Sequence, residues 1–148
     1  MLANNYDPII DYLYDYIPLY ANRDDIDFYV NLSDGKDVCE IGCGTGRVLM
    51  QIAKKAKSID GIDINSVKLD MCKKKLNSKP IEIQRRVQLF NLDPVKLQAI
   101  KIYDLIILPF RVFHYVTTQS EQKALLNWIY LHLNTNGRVV IDCFNPDL

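Results

Sequence analysis

The apolar run Val38 to Ile41 ends in three glycines at alternate positions, Gly42-Cys43-Gly44-Thr45-Gly46. A short apolar run of this kind predicts a buried strand. Glycine reaches backbone angles that other residues avoid and brings the main chain close to a neighbour without Cβ interference. From Val48 the spacing turns helical, so the glycines occupy a strand-to-helix turn. In an open α/β sheet, that turn borders the crevice where ligands bind, at the carboxyl ends of the strands.

The rest of the chain repeats the alternation. The pattern predicts strands at Asp37 to Ile41, Ser58 to Ile64, Arg86 to Phe90, Tyr103 to Leu108 and Arg138 to Phe144. Helices are predicted over Val48 to Lys57, Ser66 to Leu76 and Ser120 to Leu133, with Asn65 or Ser66 as N-cap for the second. Asn136-Gly137 reads as the turn into strand five. Such alternation argues for a parallel sheet with right-handed crossovers. Strands four and five are apolar at nearly every position, as in a sheet covered on both faces. Ahead of the sheet, Ile9, Leu13, Tyr16 and Ile17 suit a helix broken by Pro18, and a second helix is predicted over Asp24 to Leu32. The expected division is a helical cap over residues 1–34 and an α/β core over residues 35–148, ending after strand five.

At 148 residues the chain is long enough for one domain with a sizeable core. It is 49% hydrophobic and 24% charged with zero net charge, so no global field draws it to nucleic acid or membrane. No run approaches the roughly 18 apolar residues of a spanning helix, and the N-terminus lacks signal-peptide character. Cys39, Cys43, Cys72 and Cys143 form no Cys-x-x-Cys pair and no zinc spacing. All four read as small buried thiols in a reducing cytoplasm, with no metal site.

Asp63 ends strand two in Gly61-Ile62-Asp63-Ile64-Asn65, about twenty residues after the glycine turn, where an acidic side chain can accept hydrogen bonds from a ribose diol. The plain alternative is a solvated or helix-capping aspartate. The glycine spacing differs from the G-x-G-x-x-G dinucleotide fingerprint. With Glu40 just upstream, it resembles the loop of class I S-adenosylmethionine-dependent methyltransferases. Further likeness lies in Asn91-Leu92-Asp93, in Leu108-Pro109-Phe110-Arg111-Val112-Phe113-His114, in Asp142-Cys143-Phe144-Asn145-Pro146-Asp147-Leu148, and in the run from Tyr16 through Tyr20 and Arg23 to Tyr29. Together they span Tyr16 to Leu148 and resemble a bacterial subgroup acting on small molecules.

The resemblance implies a Rossmann-like, doubly wound α/β fold and S-adenosylmethionine as cofactor. It implies that Glu40, Gly42, Cys43, Gly44, Gly46, Asp63 and Ile64 hold the cofactor. Asp93 would bind the adenine amino group, with the backbone at Leu92 against the ring; Asp93 as a turn former before Pro94 is the alternative. Pro109 and Phe110 would pack on the cofactor, and Tyr16, Tyr20 and Arg23 would close over its methionine end, unless that stretch is simply a tyrosine-rich packing helix. Arg111 is a candidate anion binder or surface ion-pair partner. His114 is a candidate general base, since imidazole titrates near physiological pH, or a structural histidine.

The implied activity is methyl transfer to a small-molecule acceptor. The competing reading is an S-adenosylmethionine-binding subunit that is inactive or acts only with a second chain. A third, an NAD-linked oxidoreductase, is opposed by the glycine spacing. The family core usually continues past strand five with an antiparallel strand pair. Without it, strand five is an apolar edge of the kind that recruits partners. A second copy or separate subunit is therefore expected to cover it, with an incomplete gene product as the plain alternative. Lys54, Lys55, Lys57, Lys68, Lys73, Lys74, Lys75 and Lys79 make two helical faces basic. No aromatic platform for nucleic acid accompanies them, so a solvated surface is expected.

Overall fold

The computed structural model describes residues 8–18, 23–96 and 101–145. Helix α1 (Pro8–Leu13) runs into a 3-10 turn, Tyr14–Tyr16, and Ile17 leaves it extended at φ −81° and ψ 116°. Ile17 precedes Pro18, whose ring excludes the helical region for its neighbour. Helix α2 (Ile26–Ser33) leads into β1 (Asp37–Ile41). Then follow α3 (Leu49–Ile52), β2 (Ser58–Asp63), α4 (Ser66–Asn77), α5 (Ile81–Gln84), β3 (Val87–Asn91), β4 (Tyr103–Leu108), α6 (Gln119–His132) and β5 (Leu133–Ile141).

The strands form one sheet in the order β3-β2-β1-β4-β5, and every paired neighbour is parallel. Val38 pairs with Ile59 on one side and Leu105 on the other. The order reverses between β1 and β4, which opens a crevice at their carboxyl ends. Alternation along the strands then divides the core. Val38, Ile59, Leu105 and Ile107 face one cluster with Leu49, Ile52, Leu69 and Cys72. Cys39, Ile41, Ile106 and Leu108 face another with Leu125, Trp128 and Ile129 of α6. Helices therefore cover both faces, as a doubly wound α/β sheet requires. Truncating Leu125, 2% exposed, to alanine would cost about 2–5 kcal/mol.

The helix caps are local. The Asn65 side chain accepts the Lys68 amide at 3.1 Å, and Thr118 accepts the Glu121 amide at 3.3 Å while donating to its carboxylate at 2.7 Å. At the far end of α6, His132 donates through Nδ1 to the Trp128 carbonyl at 2.6 Å and stacks on the Trp128 ring at 4.1 Å.

Four expectations from sequence shift. The helix expected over residues 48–57 is α-helical only at Leu49–Ile52. Beyond it, Lys54 and Lys55 bond three residues back, and Arg86 takes the Ala53 and Lys54 carbonyls at 3.4 and 3.1 Å. The third strand starts one residue later than expected. The fifth starts earlier and ends at Ile141: the Asp142 amide makes the last bond to the Leu108 carbonyl, and the Phe110 amide, at positive φ, donates to the Asp142 side chain instead of extending the ladder. Asn136-Gly137 is not a free turn but lies in an irregularity of β5, where the register steps from Tyr103↔Leu133 to Leu105↔Arg138.

β4 is buried as expected, but β5 is not: it lies at the sheet edge, with Val139 42% exposed. Cys143 was expected to be buried in a strand. It is exposed, because the chain has already left the sheet, whereas Cys39, Cys43 and Cys72 are buried. No helix among the described residues is long and apolar enough to cross a membrane.

Candidate active site

A cavity of about 190 Å³ opens at the carboxyl ends of β1, β2 and β4. Its floor is the glycine turn. Gly42, Gly44 and Gly46 have φ of 74°, 53° and 85°, values that favour glycine. A Cβ on Gly42 would collide with the Val112 side chain, and one on Gly46 would lie 2.6 Å from Cys72 Sγ. A Cβ on Gly44 would meet only ordinary contacts, Lys68 Cδ at 3.9 Å and Asp63 Oδ2 at 4.0 Å. Two of the glycines thus serve packing and the middle one faces the cavity. Gly46 itself does not line the wall; Glu40, Gly42, Cys43, Gly44, Asp63 and Ile64 do.

The Asp63 carboxylate holds the turn in place. Oδ2 accepts the Gly44 amide at 2.7 Å and Oδ1 accepts the Asn65 amide at 2.8 Å. A carboxylate has about four acceptor positions, and two of them take these amides. Asn91 fixes the neighbouring backbone by donating to the Asp63 carbonyl at 3.0 Å.

Glu40 is 1% exposed and its Oε2 has no hydrogen-bond partner. Burial pushes its carboxyl well above the usual range, and nearby Cys72 and Asp63 add to this, while Arg47 opposes it. A buried acceptor left open at a cavity wall is suited to a cationic or hydrogen-bond-donating ligand. Nearby, the Tyr29 phenol is pushed up to about 12 by burial and by the charges of Asp142, Asp25 and Glu40.

Asp93 also lines the cavity, next to Pro94 and Val95. Its Oδ1 accepts the Val95 amide at 3.1 Å, so the turn-forming role and the position in the wall coincide. Leu92 is not part of the wall; it packs against the core beneath.

The loop leaving β4 sorts its side chains. Phe110 and Arg111 have φ of 50° and 62°, the two non-glycine residues at positive φ among those described. Left-handed backbone costs about 1–2 kcal/mol at each such residue, so the surroundings must hold it. The turn puts Pro109 and Phe110 in the wall and sends Arg111 outward. The Arg111 guanidinium lies 5.5 Å from the Phe110 ring centre and 4.8 Å from that of Phe144. His114 is exposed and its Nε2 accepts the Phe144 amide at 3.2 Å. Neither candidate catalytic side chain faces the cavity.

The N-terminal segment is fastened around the same opening. Arg47, in the wall, donates to both oxygens of Asp25 at 2.6 and 2.8 Å. Burial would raise the Asp25 carboxyl, but hydrogen bonds from Arg47 and Arg23 outweigh it and hold the group below its usual range. Asp15 accepts from Thr45 Oγ1 at 2.6 Å and pairs with Lys75 at 2.5 Å. Arg23 lies outside the wall, and Tyr16 is 80% exposed. Tyr20 falls outside the described residues. The Asp25–Arg47 and Asp15–Thr45 contacts were not foreseen, since their partners lie 22 and 30 positions apart.

Residues 39–139 match the methyltransferase domain family. The chain belongs to that family. It is of the class I, S-adenosylmethionine-dependent kind that the glycine turn resembles. Among curated relatives of this methyltransferase domain, cypemycin N-terminal methyltransferase from a Streptomyces species is 29% identical over 113 residues, 76% of this chain and 44% of that protein. The CcbJ methyltransferase of Streptomyces caelestis superposes with a TM-score of 0.83 at 24% identity, covering 95% of this chain and 60% of that one. CalS10, an amino pentose methyltransferase from Micromonospora echinaspora solved with S-adenosylmethionine bound, gives 0.73 at 18% identity, covering 95% and 58%. The methyltransferase domain spans about half the length of the curated relatives it matches: 44%, 42% and 58%.

The residues present fit this cofactor. Glycines at positive φ form the floor, a carboxylate in the cavity wall stands at the end of β2, and Glu40 has a buried oxygen with no hydrogen-bond partner.

Proposed function

We propose that this chain supplies the cofactor-binding core of an enzyme that methylates a small molecule, and that the acceptor atom is an amine nitrogen. The observation that carries the reading is the cavity at the sheet's switch point, with Asp63 at one side and the open oxygen of Glu40 at its base. The amine assignment draws on two relatives named for methylating a peptide N-terminus and an amino pentose.

S-adenosylmethionine would supply an electrophilic methyl group on a sulfonium. The chain's residues would bind and orient. Asp63 would accept the ribose hydroxyls, Asp93 and Ile64 would border the adenine, and Glu40 would offset the positive charge of the methionine end. Pro109 and Phe110 would complete the wall beside the reacting centre and exclude water. The rate gain would come from holding nucleophile and methyl in line at close range. A neutral amine is nucleophilic enough to need no strong base, in keeping with His114 standing away from the cavity.

The test is calorimetry with S-adenosylmethionine, S-adenosylhomocysteine and NAD, followed by methyl-label transfer to simple aminosugars and amino-terminal peptides. Binding of the two sulfur nucleosides but not NAD supports the cofactor reading. Label on alcohols but never on amines rejects the acceptor.

A second reading is favoured by the exposed edge of β5 and by Phe144, 55% exposed beyond it. There the chain binds cofactor but turns over only with a second copy or another subunit on that edge. Its mark would be cofactor binding without transfer until the partner is added.

A further inference from the structure

We propose that Asp142 is a positioning residue for methyl transfer, holding Phe110 in the cavity wall from behind. The inference rests on the cofactor reading above and assigns a role to a side chain that itself lies outside the cavity. One carboxylate oxygen, Asp142 Oδ2, accepts both the Phe110 amide at 3.1 Å and the Arg23 Nη2 donor at 3.1 Å. Asp142 is itself anchored, because its own amide donates to the Leu108 carbonyl at 3.0 Å as the chain leaves β5. The Arg23 guanidinium lies over the Phe110 ring, 4.7 Å from its centre.

The Phe110 main chain and ring are therefore gripped from two directions by one ion pair. That grip falls on the one described stretch where two consecutive non-glycine residues have left-handed backbone. Strained backbone persists only where its surroundings over-determine it, and such strain clusters at functional sites. A charged acceptor makes stronger hydrogen bonds than a neutral one, so a carboxylate here holds the turn and orients Arg23 at once. The same contact joins the segment before β1, the exit of β4 and the exit of β5. Arg23 reaches on to Asp25 at 3.1 Å, and Asp25 to Arg47 in the wall.

The grip acts on one end of the cavity only. Asp63 ends β2 and Asp93 follows β3, while Phe110 follows β4 on the other side of β1. A ligand that reaches only the first end should not feel Asp142, whereas one that spans to Phe110 should.

The experiment measures S-adenosylhomocysteine and adenosine binding to the purified chain by calorimetry. The variants are Asp142→Ala, Asp142→Asn, Arg23→Ala, Phe110→Ala and the Asp142→Ala/Phe110→Ala double. Asp142→Ala should weaken S-adenosylhomocysteine about tenfold, as for loss of a charged hydrogen-bond acceptor, and leave adenosine within about twofold. Asp142→Asn, which keeps an acceptor oxygen, should recover part of the loss. Arg23→Ala, at a partly exposed site, should shift the same ligand in the same direction. In the Phe110→Ala background, Asp142→Ala should add no more than about twofold, as for residues acting through one another. Equal weakening of both ligands would mean loss of fold rather than of positioning and would overturn the inference. Unchanged S-adenosylhomocysteine binding, or full additivity with Phe110→Ala, would overturn it too. A wild-type chain that binds neither ligand would remove the cofactor reading and this inference with it.

Discussion

Gly44 and Asp63, nineteen residues apart, are joined by a 2.7 Å hydrogen bond from the glycine amide to Oδ2 of the aspartate. The bond ties the loop after β1 to the end of β2 and makes the cavity floor depend on one carboxylate. Asp63→Ala leaves the Gly44 and Asn65 amides without that acceptor and removes the side chain expected to bind ribose. Each charged hydrogen bond contributes about 1.5–3 kcal/mol, so S-adenosylmethionine affinity should fall roughly tenfold to a hundredfold. Asp63→Asn, which keeps the shape, should lose less. Calorimetry on the two variants checks the order.

The three glycines should not be equivalent. Gly46→Ala puts a methyl 2.6 Å from Cys72 Sγ at φ 85°, and overpacking plus backbone strain should cost about 2–4 kcal/mol. Gly44→Ala meets only ordinary contacts at φ 53°, so it should cost about 1–2 kcal/mol of backbone strain alone yet intrude on the ligand. Urea unfolding with and without S-adenosylmethionine separates them. Gly46→Ala should lose the more stability in the free protein, whereas Gly44→Ala should lose more of the ligand-induced gain. A Gly46→Ala chain as stable as wild type would contradict the packing described for the turn.

How much of this was readable beforehand depends on the range of the interaction. The glycine turn, the Asn65 cap and β4 are decided by neighbouring residues, and all appear where the sequence placed them. The end of β5 is decided by the turn at Phe110, which follows a different strand, and that is why the expected boundary ran to Phe144. The orientations of Arg111 and His114 follow from left-handed backbone at Phe110 and Arg111. Neither Phe110 nor Arg111 is a glycine or asparagine, so nothing in their side chains signals the turn that leaves Arg111 and His114 out of the cavity wall. The Asp25–Arg47 pair links distant segments of like composition, and spacing alone could not select it.

Glu40 and Asp25 should tilt the pH dependence of stability in opposite directions. The Glu40 carboxyl is raised above its ordinary value, so between the unfolded and folded values the native state binds the extra proton. Its contribution is present at low pH and is lost as pH rises. Asp25 is lowered, so its contribution is present above the unfolded value and is lost as pH falls through the folded one. Glu40→Gln should therefore raise the melting temperature of the free protein near neutral pH relative to wild type, with the gain vanishing below about pH 4. Asp25→Asn should lower it at neutral pH and converge with wild type in acid. Thermal melts from pH 3 to 8 read both. A Glu40→Gln variant less stable at neutral pH would show that the buried carboxylate is partnered in solution.

The edge of β5 offers the remaining prediction. Its outer side is unpaired among the described strands, and Val139 is 42% exposed. An unpaired strand edge pairs with other chains unless it is covered or charged, and on this one the run Val139, Val140 and Ile141 is apolar beside a single charge at Arg138. The chain in solution should therefore associate as concentration rises, and Val139→Lys, a charge on that edge, should shift it toward monomer. Because Val139 is distant in the fold from Asp63, cofactor affinity of the variant should remain within about twofold, as for separated sites. Light scattering across a wide concentration range reads the first outcome, since association depends on concentration, and calorimetry the second. If wild type and Val139→Lys both stay monomeric throughout, the edge is not an association surface, and the reading that requires a partner for turnover loses its support.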